Sequence, residues 1–230
     1  MSQERLYRDY LEVVKSFRRY LEEKKGMKRE TEERKDKREE KGPRVLLEDL
    51  YHGLQNCQNC SLHRYRIHLV FGTGNPEAEL MLVGEAPGKE EDLQGKPFVG
   101  AAGKLLTESL SQVGLSREQV YIANILKCRP PGNRDPLPEE IGACFPYLEN
   151  QINIIGPRII CALGKFAAQV LLNTNRGITH LRGKSQWYKN NITLIPTYHP
   201  AACIYKPAWK KTFLQDLRMM RDELGGKSSF

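Results

Sequence analysis

The chain has 230 residues, 40% of them hydrophobic, with 36 Lys plus Arg against 28 Asp plus Glu and a net charge of +8, which suits one folded domain with a tail and an anionic partner such as nucleic acid. Its longest apolar runs, such as Ile154 to Leu163, are interrupted by Gly, Pro or Arg and fall far short of the roughly 20 residues that a membrane span needs. Six Cys are too sparse for a disulfide scaffold, and the N-terminal MSQERLYRDYLEVV lacks the apolar segment of a signal peptide, so a soluble chain in a reducing, cytoplasmic compartment is expected.

Residues 1–44 hold 15 Lys/Arg and 11 Asp/Glu, with few apolar residues after Leu21. Such a stretch cannot bury enough surface to offset its chain entropy, and it reads as a charged helical or disordered extension. The folded domain is expected over 45–230. It opens on helical apolar spacing from Val45 to Leu54, followed by Cys57-Gln58-Asn59-Cys60. Short apolar runs then predict strands at Leu80 to Val83, Val120 to Leu126, Arg158 to Leu163 and Ile192 to Tyr198. Helical patterns lie between and after them, at Ala101 to Val113, Pro138 to Ile152, Lys165 to Leu172 and Ala208 to Leu224. The second of these opens on Pro followed by two Glu, a favourable first turn. Strands alternating with helices predict a four-stranded parallel sheet covered on both faces. In that architecture the ligand sits at the carboxyl ends of the strands.

Three polar features fall at those ends. The first strand runs into Gly84-Glu85-Ala86-Pro87-Gly88, whose glycines let bare backbone approach a ligand. The second carries Asn124 among apolar neighbours, where a buried carboxamide needs a partner. The fourth ends in His199-Pro200-Ala201-Ala202, which brings an imidazole to the same rim. Phe98, within Gly95-Lys96-Pro97-Phe98-Val99-Gly100, either roofs that pocket or belongs to the core. Cys57, Cys60, Cys128 and Cys144 make a four-thiolate set that fits zinc or an iron-sulfur cluster equally well by spacing. Cys161, in an apolar strand, reads as core.

Taken together, Gly84-Glu85-Ala86-Pro87-Gly88, Lys127-Cys128-Arg129-Pro130-Pro131-Gly132-Asn133-Arg134 and His199-Pro200-Ala201-Ala202 resemble the family 4 uracil-DNA glycosylases, the iron-sulfur branch of their superfamily. The likeness covers about residues 45–225. It implies a three-layer α/β/α sandwich in which Cys57, Cys60, Cys128 and Cys144 hold a structural 4Fe-4S cluster that staples the N-terminal segment. The implied reaction flips uracil out of single- or double-stranded DNA and hydrolyses its N-glycosidic bond, the first step of base-excision repair. By resemblance, Phe98 stacks on the base and Asn124 reads its edge. His199 and the backbone of Gly84, Ala86 and Gly88 donate to O2, and Glu85 faces the sugar. Ile204, Tyr205 and Lys206 would fill the space left by the base, with Lys206, Lys210 and Arg182 on phosphates. The best-known branch has an Asp at the position of Ala86 and an aromatic at that of Gly88. Family 4 lacks both, so the resemblance assigns neither the water nor the exclusion of thymine. A related branch forms a covalent DNA adduct through a loop His. The short Pro130 to Pro136 segment has none, so turnover without trapping by a monomeric enzyme is implied, whereas no partner is implied for the extension.

Overall fold

The structure is a computed structural model that describes residues 41–189 and 192–225. The chain divides into two units, Met1–Leu46 and Leu47–Phe230. The charged extension expected over 1–44 lies, except for its last four residues, outside the described residues. In chain order the elements are α1 (Pro43–Leu54), β1 (Thr73–Gly74), β2 (Leu80–Gly84), α2 (Lys89–Gln94), α3 (Ala101–Gln112), β3 (Tyr121–Asn124), α4 (Pro138–Ile155), β4 (Ile159–Leu163), α5 (Lys165–Leu172), α6 (Ile178–Leu181), β5 (Gln186–Tyr188), β6 (Ile192–Thr197), α7 (Pro200–Tyr205) and α8 (Pro207–Leu224). Short 3-10 turns occupy Ser61–Arg64 and Pro131–Asn133.

The sheet has six strands in the order β1-β3-β2-β4-β6-β5. The four strands expected from the apolar runs form its parallel centre, with Met81 opposite Tyr121, Leu80 opposite Ile159, and Ile159 opposite Thr193. The expectation of a purely parallel four-stranded sheet is therefore corrected, because β1 and β5 add an antiparallel strand at each edge. Neither edge strand has an apolar run to betray it. β1 is the pair Thr73-Gly74, and β5 is three residues long with Trp187 73% exposed.

Side chains of the central strands alternate between two cores, as the two-residue period of a strand requires. Met81, Val83, Ala123, Ile160 and Leu194 pack with Leu54 of α1, Leu148 and Ile152 of α4 and Leu171 of α5. On the opposite face, Leu80, Leu82, Ile122, Ile159, Cys161 and Ile195 meet Leu106 and Leu110 of α3 and Phe213, Leu217 and Met220 of α8. Each fully buried Leu, Ile or Phe contributes about 1.5–3 kcal/mol relative to exposure. These two cores fix the strand register and hold the carboxyl ends of β2, β3, β4 and β6 side by side. Helix α4 begins where Pro138 supplies a preset first turn and Glu140 accepts from the Leu137 N–H at 2.9 Å. Among the described residues, no helix is long and apolar enough to cross a membrane.

The order of the parallel strands also locates a crevice. From β2 the chain moves to β3 on one side, and from β4 it moves to β6 on the other. Between β2 and β4 the direction of winding reverses, the place where open α/β sheets bind ligands.

Candidate active site

A cavity of about 340 Å³ opens at this end of the sheet, lined among others by Glu85, Ala86, Gly88, Phe98, Asn124 and His199. Gly84, which precedes Glu85 and pairs with Asn124 across β2 and β3, is not itself among the lining residues. A Cβ at Gly84 would meet Asn124 Oδ1 and come within 2.7 Å of Phe98 Cζ. The glycine thus lets the carboxamide and the ring close onto bare backbone.

Asn124 ends β3, opposite Gly84, and is 2% exposed. Its Oδ1 is buried without a hydrogen-bond partner. An orphan acceptor in a low-dielectric site costs roughly 1–3 kcal/mol unless something outside the protein donates to it. Phe98 is also buried, in a left-handed conformation at φ 52°. Its loop is tied down from both sides. Arg117 donates to the carbonyls of Phe98 (3.0 Å) and Pro97 (2.9 Å), while Glu91 accepts from the Val99 and Gly100 N–H groups, each at 2.9 Å. The second oxygen of Glu91 accepts from Gly88 N–H at 3.1 Å, so one carboxylate joins both loops that line the cavity.

His199 caps α7, and its Nδ1 accepts the Ala201 N–H at 3.1 Å. That bond assigns the ring proton to Nε2. Burial, partly opposed by Glu91, depresses the imidazole to about 4, so the ring is neutral at physiological pH. Its ring lies 5.6 Å from that of Phe98, tilted by 34°. Gly164, at φ +93° after β4, makes room for it, since a Cβ there would approach His199 Cβ to 2.9 Å. The arrangement presents a neutral N–H donor suited to a developing negative charge. Glu85 follows β2 and is pushed up to about 7, first by burial and then by Asp135, with Lys165 pulling the other way. A carboxyl poised near neutrality in a cleft is suited to acid–base or electrostatic work.

The four cysteines singled out by spacing line one small cavity near Lys127. Cys57 and Cys60 come from the segment after α1, Cys128 follows β3, and Cys144 lies on α4. Donors surround the sulfurs: Arg66 Nη1 reaches Cys128 Sγ at 3.4 Å, and the Lys127 N–H reaches Cys144 Sγ at 3.3 Å. Burial raises the Cys128 thiol and pushes Cys144 up to about 11. The donors to sulfur suit a thiolate centre. Among the described residues, no three His, Cys, Asp or Glu side chains converge closely enough for a single metal ion. Four sulfurs lining one cavity are a donor set for a metal centre. Cys161 and Cys203 are buried in the opposite core.

The residues expected on DNA are not among those lining the cavity. Tyr205 is 85% exposed and Ile204 is also exposed, both at the end of the helix that His199 caps. Lys206 lies over the Trp209 ring at 4.4 Å, and Lys210 stands 4.0 Å from Glu108. Arg182 donates from Nε and Nη2 to Asp216, which is 3% exposed and also accepts from Thr197 Oγ1 at 2.6 Å. It therefore braces β6 through two donors. Sequence reasoning missed Glu91, Arg117 and Gly164. Only Glu91 left a signal, a Glu three residues after Gly88 at the start of α2, the spacing of a capping box. Arg134, the last residue of the Lys127 to Arg134 motif, lines the cavity and forms a two-pronged pair with buried Glu140.

A family profile described as Uracil DNA glycosylase superfamily matches residues 71–218, well over half of the chain. The chain is 46% identical over 189 residues to a type-4 uracil-DNA glycosylase of Archaeoglobus fulgidus, covering 79% of this chain and 94% of that protein. It is similar to proteins of the same description from Saccharolobus solfataricus, at 47% over 182 residues (76% and 84% of the two chains), and from Thermotoga maritima, at 45% over 157 residues (68% and 82%).

Proposed function

The chain belongs to the uracil DNA glycosylase superfamily, and from that premise we propose how its cavity removes a base from DNA. The protein is a uracil-DNA glycosylase, a hydrolase that breaks the N-glycosidic bond of uracil in DNA and starts its repair. The observation that carries the assignment of roles is the buried, unpartnered Oδ1 of Asn124 at the edge of the cavity. Uracil brings the missing donor, N3–H, and its O4 accepts from the Asn124 amide. Cytosine carries an amino group and a bare ring nitrogen at those positions and mismatches both.

Uracil leaves the stack at a cost of a few kcal/mol and slides onto the face of Phe98. As the bond to C1′ breaks, electrons collect on the uracil ring, with much of the charge on O2. The neutral His199 donates its Nε2–H there, and N–H groups of the Gly84 to Gly88 turn add further donors. Glu85, as a carboxylate, faces the cationic sugar and orients water for attack at C1′. No adduct with the protein forms.

Cys57, Cys60, Cys128 and Cys144 would hold a 4Fe-4S cluster, which when bound fastens the segment around Cys57 and Cys60 to the α/β body. Ile204 and Tyr205 enter the gap left by the base, while Lys206, Lys210 and the remaining Arg182 donors take phosphates. We read the enzyme as a cytoplasmic monomer with no membrane association.

An end-labelled oligonucleotide carrying uracil, thymine or cytosine at one position, developed with alkali, tests the assignment. Cleavage is expected at uracil alone, without a DNA–protein band on a denaturing gel, and is lost in Asn124→Ala plus His199→Ala. No cleavage by iron-loaded wild type would sink it.

Two further outcomes follow from the geometry. Glu85 holds its proton below about pH 7, so kcat/KM rises with pH through neutrality and at pH 6 is about tenfold below its plateau. Glu85→Gln lowers the plateau and removes that limb, and an unchanged limb would assign the titration elsewhere. Replacing Lys206 by Ala flattens the plot of log affinity against log salt by about 0.9 on duplex DNA, the effect of one phosphate contact; an unchanged slope returns Lys206 to the solvated surface.

A further inference from the structure

We propose that Lys127 is a positioning residue for base recognition: its buried ammonium group holds the Asn124 peptide and thereby the carboxamide that reads uracil. The inference rests on the uracil reading of the cavity given above.

Lys127 is 1% exposed, one of the largest fully buried side chains among the described residues. A charged side chain almost never occupies such a place without partners, and an apolar one would fill it more cheaply. Its Nζ donates to the Asn124 carbonyl oxygen at 2.9 Å and to Gln151 Oε1 at 2.5 Å. Gln151, on α4 and 0% exposed, is held in turn by bonds from its Nε2 to the Phe71 carbonyl (3.0 Å) and Tyr121 Oη (3.2 Å). The lysine is thus anchored to a helix at one end and grips the last residue of β3 at the other.

That grip matters because the Asn124 carboxamide has little else to orient it. Its Oδ1 has no hydrogen-bond partner among the described residues, and its flanks are the bare backbone of Gly84 and the Phe98 ring. Discrimination between uracil and cytosine depends on which end of the carboxamide faces O4 and which faces N3. The peptide plane helps fix the direction of the Asn124 Cα–Cβ bond, and Lys127 holds that plane through its carbonyl, with the Ile125 N–H donating to the Gly84 carbonyl at 2.9 Å on its other side. A second tie makes the control obvious: the Lys127 N–H donates to Cys144 Sγ at 3.3 Å, so iron content has to be measured alongside.

The test uses full-length Lys127→Met and Gln151→Met. It measures the Ki of free uracil against excision, the Kd for a duplex with a tetrahydrofuran abasic analogue, kcat, iron content and the melting temperature. Lys127→Met is expected to raise the uracil Ki at least tenfold and to lower kcat. The abasic-duplex Kd and the iron content should stay within about twofold. Gln151→Met, which keeps the lysine but removes its anchor, should raise the Ki at least threefold and decides the matter if Lys127→Met does not fold. An unchanged Ki in a folded variant overturns the proposal, and so does a parallel weakening of Ki and Kd, which marks a general structural role. A wild type that excises no uracil overturns the functional reading itself, and this inference with it.

Discussion

His199→Ala lowers the single-turnover rate of uracil excision by about 100- to 1,000-fold, the usual loss when one donor to a developing oxyanion is removed, while affinity for DNA changes little. The expectation follows from what the imidazole touches. Its Nδ1 is committed to the Ala201 N–H, burial holds the ring neutral down to about pH 4, and Nε2–H is left to donate. Bound uracil in its ground state has only a weakly basic O2, so the bond strengthens as the glycosidic bond breaks, and the loss appears in the chemical step. Rapid-quench measurements with enzyme in excess separate that step from DNA binding. A variant that binds DNA more weakly yet cleaves at the wild-type rate would show that His199 serves the DNA and not the leaving base.

Gly84→Ala is the second large effect, and it adds only a methyl group. That group would strike Asn124 Oδ1 and the Phe98 ring, both buried and both proposed to meet the base. Neither neighbour can retreat without leaving the position from which it meets uracil. Excision is expected to fall by about 100-fold or more, in line with the sensitivity of catalysis to misplacements of about 1 Å, and stability to drop by about 1–3 kcal/mol, the cost of overpacking. Gly142→Ala, on α4 with nothing within 4 Å of the new methyl, is the control and should be neutral or stabilising by up to about 1 kcal/mol. Paired melting curves and excision rates check both. Equal activity in the two variants would mean that the packing around Gly84 is softer than its contacts imply.

Much of this site was legible before any coordinates. Leu80 to Val83 and Arg158 to Leu163 declared themselves as buried strands through unbroken apolar runs, and strand ends in such sheets carry the chemistry. Asn124 and His199 were conspicuous as polar residues at those ends. What stayed hidden depended on partners distant in sequence. Glu91 and Arg117 act on the Phe98 loop through bonds that no local pattern encodes. Arg182 looked like any surface cation, and its pairing with Asp216, 34 positions away, emerges only when α8 packs on β6. The edge strands escaped because two or three residues carry too little alternation to register. Helix α2, with the sequence KEEDLQ, has no apolar stripe and is held by Gly88, Glu91 and Asp92, the last of which accepts from the Ile67 and His68 N–H groups.

The central claim is that Asn124 reads uracil through an acceptor left unpaired among the described residues. The most direct measurement is the ratio of single-turnover excision rates for uracil and cytosine at one position, in wild type and in Asn124→Asp. The side chains are nearly isosteric, but a carboxylate cannot donate to O4. The account predicts that the variant loses about 100-fold on uracil, about 3 kcal/mol for a buried unmatched polar pair, and that the uracil-to-cytosine ratio narrows by at least tenfold. An Asn124→Asp enzyme that keeps both the wild-type uracil rate and the wild-type ratio would contradict it.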